Sequence, residues 1–139
     1  MNANQIESTL TAMGVKWEKI VKNMWAVADP EGKIPRITIT VEHGDKKGVD
    51  LLKFIVFVCD VPVDTGSEFY KNFLKLNFRV EHGAFAMETL TEMSFIDALE
   101  FKTTDECEFE ATLRAMMDAP KMFQEKYDID FYTLGKPQF

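Results

Sequence analysis

Basic charge is scarce in this sequence: 16 Lys and Arg stand against 23 Asp and Glu, for a net charge of −7. Domains that bind nucleic acid usually show a basic face. Only short lysine runs such as Lys46-Lys47 occur here, so no nucleic-acid partner is expected. No apolar run is long enough to cross a bilayer. The opening MNANQIESTL lacks the basic-then-apolar order of a signal peptide. No membrane association is expected, and the expected location is the cytoplasm.

Cysteine and histidine are almost missing. Cys59 falls in an apolar strand and Cys107 on a helix, without the C-x-x-C spacing of zinc or redox sites. Both are expected to be free, buried thiols. His43 and His82 have Glu42 and Glu81 beside them, but neighbours on a strand point to opposite faces. Both histidines are expected in surface turns. The acidic run Asp105, Glu106, Glu108, Glu110 opens a helix, where the helix dipole and solubility explain it better than metal binding. No glycine-rich phosphate loop and no fixed-period repeat is present. The expectation is no enzyme, no catalytic or metal site and no cofactor.

What is present is a core-forming composition for one domain over residues 1–139, with 46% hydrophobic and 28% charged residues. The most informative stretch is Ser67 to Met87. Phe69, Phe73 and Leu76 recur at i, i+4 and i+7, with Tyr70, Leu74 and Asn77 alongside and Lys71 and Lys75 opposite. Thr65 or Ser67 is expected to cap this helix, and Asn77 to end it. Phe78 and Val80 follow, then a turn at His82-Gly83 and a strand from Ala84 to Leu90. Phe69, Phe73, Phe78 and Phe85 are expected in the core.

In chain order, Asn4 to Met13 predicts a helix stopped by Gly14. Val15 to Val21 does not settle helix against strand. Met24 to Ala28, Ile34 to Glu42 and Leu51 to Val61 predict three strands, with a strong turn at Asp29-Pro30-Glu31-Gly32. Leu51 to Val61 is almost continuously apolar, as in a central strand covered on both faces. Glu92 to Phe101 predicts a strand with a bulge or register shift. A capping box from Thr103 to Glu106 opens the last helix. At Pro120 that helix either kinks or restarts under a cap from Asp118. The order is α-β-β-β-α-β-β-α: an α+β fold, with an antiparallel sheet of about five strands and helices packed on it.

Seven methionines stand out: Met13, Met24, Met87, Met93, Met116, Met117 and Met122. Methionine fills irregular cores and also builds adaptable binding faces. The second role points to Met116, Met117, Met122 and Phe123 as a candidate partner face. Phe131 and Tyr132 belong to an aromatic tail, residues 129–139. Tyr70 and Leu74, alongside Phe69 and Phe73 on the central helix, are candidates for a self-interface.

The combination of LLKFIVFVCDVP, the helix FYKNFLKLN, the return GAFAM and the long helix EFEATLRAMMDAPKMFQEKY resembles the type III secretion chaperone-like fold. Within it, the chain is similar to the YbjN-like group, over roughly Trp17 to Tyr127. The tail departs from that pattern. The resemblance implies a small acidic cytoplasmic protein without catalytic residues, which binds another protein and often forms a homodimer. The competing expectation is a small-molecule-binding or enzymatic domain with a pocket between helix and sheet.

Overall fold

Lys22 and Asn23 turn the chain back on itself within two residues, and Asn23 takes a left-handed backbone (φ 61°) that asparagine tolerates. The turn joins β1 (Trp17–Val21) to β2 (Met24–Val27). It settles Trp17–Val21 of the undecided Val15 to Val21 segment as a strand. A computed structural model of the chain describes residues 1–128. Its elements are α1 (Ala3–Ala12), β1, β2, β3 (Ile37–His43), β4 (Asp50–Asp60), α2 (Ser67–Asn77), β5 (Ala84–Ala86), β6 (Glu92–Glu100) and α3 (Glu106–Tyr127). The sheet has six strands in the order β1-β2-β3-β4-β6-β5, every pair antiparallel. The expected α+β class holds, with β1 added to the expected strands.

Register decides which side chains meet the helices. Trp25 pairs with Ile39 and Ile39 with Phe54, while Ile37 pairs with Val56 and Val56 with Phe95. Directly paired residues share a face, and these are all buried. Helices cover this face: Ile6 and Leu10 from α1, Phe73 and Leu76 from α2, Phe109, Leu113, Met116 and Phe123 from α3. Trp25 donates to a Glu7 carboxylate oxygen at 3.0 Å and Trp17 to the Thr11 hydroxyl at 3.2 Å, which fixes α1 over β1 and β2.

The opposite face carries the row Ala26, Thr38, Ile55, Ile96, Ala84. No helix lies on it among the described residues, and Ile55 and Phe57 of β4 are only half-buried there. The expectation that β4 is covered on both faces is corrected: its burial alternates, with a shift of register between Phe57 and Cys59. The irregularity expected for Glu92 to Phe101 lies opposite, in β4.

Other local expectations change too. The cap of α3 is Asp105 with Glu108, not Thr103 with Glu106. Gly66 precedes α2 with no side-chain cap, so neither Thr65 nor Ser67 serves. Pro120 sits inside an unbroken α3, where its missing N–H leaves the Met116 carbonyl without its usual partner; Asp118 caps nothing. β5 is three residues, shorter than Ala84 to Leu90. Gly83 does take positive φ, 74°, and a Cβ there would fall 2.7 Å from the Ile96 carbonyl oxygen. Phe78 is not core: it is 94% exposed. Cys107 is exposed rather than buried.

Candidate functional site

The helical period that points Phe73 and Leu76 at the sheet turns a second apolar line outward. Tyr70, Leu74 and Phe78 recur at i, i+4 and i+8 and are 37%, 67% and 94% exposed. Lys71 and Lys75 flank them, with Lys71 3.6 Å from Glu68. Tyr70 and Leu74 thus lie on the outward side, as the spacing predicts. Phe78 extends the stripe by a turn. Sequence reasoning missed it by assigning Phe78 to the core, though i+8 from Tyr70 was the available signal. Contiguous exposed apolar surface of this kind usually marks an interaction site.

Asn77 works beneath this stripe. Its amide nitrogen donates to the Phe85 carbonyl at 3.2 Å and its Oδ1 accepts from the Phe85 N–H at 2.7 Å. Those groups belong to edge strand β5, and an edge so occupied is closed to strand addition at that residue. Asn77 lies inside the helix, with Phe78 in right-handed conformation after it, so its role is this clamp and not a left-handed stop.

The other candidates separate. Met116 and Phe123 are fully buried and Met117 nearly so, with Phe123 stacked on Phe73 at 4.2 Å between centroids. The expected methionine face is therefore largely core, and only Met122 reaches the surface as a half-buried side chain. Phe131 and Tyr132 lie outside the described residues. His43 is exposed, with Nδ1 2.8 Å from an Asp50 carboxylate oxygen; His82 Nδ1 is 4.0 Å from Asp97. Among the described residues no group of three or more His, Cys, Asp or Glu is placed to hold a metal ion. No described helix is long and apolar enough to cross a membrane.

Burial in β4, and the charge of Asp60 beside it, push the Cys59 thiol up to about 11, whereas Cys107 is exposed in the first turn of α3. A thiolate is the reactive form. A disulfide-exchange reagent at neutral pH should therefore titrate one thiol rapidly in the native protein and two after denaturation. Rapid reaction of both natively would overturn this placement of Cys59.

The sheet thus has helices on one face and a half-apolar opposite face, and α2 turns an apolar stripe outward, surface of the kind that often marks contact sites. The model of the CesT_Tir_1 family, a type III secretion chaperone family, matches residues 1–125, and the chain belongs to that family. Its role is thereby chaperone-like and protein-binding. Among solved structures it is similar to a chain of the heterodimeric ExoU–SpcU complex from the type III secretion system of Pseudomonas aeruginosa. That match has 13% identity and a TM-score of 0.59, over 84% of this chain and 93% of that one. It is also similar to YbjN of E. coli, with 11% identity and a TM-score of 0.59, over 92% of this chain and 94% of that one. At such identities the likeness is one of fold. No curated protein matches the sequence.

Proposed function

We propose that the chain acts as one domain, a non-enzymatic, chaperone-like module of the cytoplasm that holds another protein and works as a homodimer paired through α2. The observation that carries this reading is the outward stripe Tyr70, Leu74, Phe78. Closed two-fold dimers use one self-complementary patch, and a helix stripe pairs readily with its own copy. The clamp of Asn77 on β5 supports pairing through helix side chains instead of strand addition at that edge. The ExoU–SpcU neighbour is itself one chain of a two-protein complex, which agrees with a protein client. The competing reading, a ligand pocket between helix and sheet, loses support because rings fill that space: Phe73, Phe85, Phe95 and Phe123 form one chain of ring contacts.

Light scattering at micromolar concentration tests the assembly. Wild type should run as a dimer and a Tyr70→Asp/Leu74→Asp variant as a folded monomer, because neither side chain contributes to the core. A monomeric wild type would remove the dimer. A dimer lost only when the chain ends at Tyr127 would move the interface to the last residues.

A further inference from the structure

We propose that the open face of the sheet receives a basic amphipathic helix of the protein that this chain holds, an assignment that rests on the protein-holding role proposed above and adds the client's chemistry. Register places the side chains of this face row by row. The middle rows are apolar or small. Ile55 pairs with Ile96 and Ile96 with Ala84, and in the next row Phe57 pairs with Ser94 and Ser94 with Ala86. A groove of about 770 Å³ is lined by Ile55, Ile96, Ala84 and Ala86, with Met24 and Met87 beside them. That volume is within the range of roughly 300–1,000 Å³ typical of binding sites.

Carboxylates stand on every side of these rows. Glu18, opposite Ala26, lies on edge strand β1. At one end of the sheet Glu42 and Glu100 both pair with Leu51, and at the other Asp60 pairs with Glu92. Glu88 lines the groove just past β5. Among the register-paired residues of this face Lys53 is the one cation, and Glu42 already holds it at 2.9 Å. Like charges directly opposite each other destabilise a sheet, and among the described residues no cation forms an ion pair with Asp60 or Glu92. A cation brought by a partner relieves that repulsion, so charge complementarity specifies a basic occupant.

The backbone specifies a helix. The inner strands use their N–H and C=O groups on one another. An extended segment laid over them would press its own polar groups on apolar side chains without partners, whereas a helix satisfies those groups internally. Such a helix turns one apolar stripe down and flanks it with Lys or Arg at the height of the carboxylates. Ala84, Ala86 and Ala98 leave it room to settle. A second copy presenting the same face is a poor occupant, because acid would meet acid.

Calorimetry and methyl NMR on the whole chain test this with synthetic peptides of about 18 residues, five helical turns. One is a Lys/Leu sequence of helical periodicity, one has the same composition in scrambled order, and one is a Glu/Leu counterpart. The periodic Lys/Leu peptide should bind roughly tenfold or more tighter than the other two, moving the Ile55 and Ile96 methyl resonances and leaving those of Leu74 in place. Glu92→Lys/Glu100→Lys, at two exposed positions, should weaken its binding by a similar factor. No binding of the periodic peptide, equal binding of the scrambled or acidic one, or an unchanged affinity in the double variant would overturn the proposal. So would shifts confined to Leu74, which put the client on α2 and leave the chain a protein binder. Ile55 and Ile96 shifts that vary with protein concentration before any peptide is added would overturn it in favour of a second copy. The dimer is read separately: a monomeric wild type that still binds the periodic peptide at Ile55 and Ile96 sinks the dimer and leaves this site standing.

Discussion

Replacing Phe73 by alanine should cost about 3–5 kcal/mol of folding stability, the range for a large aromatic removed from a packed core. Phe73 is 3% exposed and sits where α2, α3 and β5 converge. Its ring centroid lies 4.9 Å from Phe69, 5.2 Å from Phe85, 4.2 Å from Phe123 and 6.3 Å from Tyr127. Alanine would open a void bordered by four rings on three elements, and no single backbone segment can relax to fill it. Denaturant melts measure the loss, and Leu74→Ala on the outward side is the control, with an expected cost within about 1 kcal/mol. If Phe73→Ala also cost under ~1 kcal/mol, the ring cluster would not be what joins α2 to the rest.

The inward side of α2 was legible in the sequence because one helix period places Phe69, Phe73 and Leu76 on a single face. β4 shows where legibility ends. LLKFIVFVCDV reads as a strand buried on both faces, yet Ile55 and Phe57 stand on a face that no described helix covers. Periodicity reports hydrophobicity and is silent about what lies opposite, so an apolar docking face and a buried face look alike. The methionines carry the same ambiguity: nothing in Met116-Met117 distinguishes core from contact surface, and tertiary packing made it core. The β1–β2 hairpin was missed because Lys22-Asn23 lacks the glycine that usually marks such turns; Asn23 itself takes the left-handed backbone there. The family resemblance rested on the order of several weak elements, and that order is what the structure reproduces.

The second large effect involves residues far apart in sequence. Asp29 was read as part of a turn, and it is, but its carboxylate also anchors α3. The group is fully buried and accepts from the Glu31 N–H at 3.3 Å, the Lys33 N–H at 2.8 Å and the Ile34 N–H at 3.3 Å. Lys121, 15% exposed, donates its ammonium to the same carboxylate at 2.9 Å and lies 3.3 Å from Glu31. Asp29→Ala would take the acceptor from three backbone N–H groups, that of Ile34 buried, and leave the mostly buried Lys121 ammonium only the exposed Glu31, so it should cost about 3–5 kcal/mol. Lys121→Met should cost less, because the backbone N–H groups still satisfy the carboxylate and the thioether fills most of the volume. Burial alone would lower the Lys121 pKa; hydrogen bonds and charge from Asp29 and Glu31 outweigh it and raise the value above the ordinary 10.5. A raised folded-state pKa means the pair's contribution is fully present below the unfolded value and fades as pH climbs through the folded one. The stability gap between wild type and Lys121→Met should therefore stay constant from neutral pH to near 10 and narrow above about 10.5. A gap that instead narrowed between pH 6 and 8 would assign the stabilisation to some other titrating group.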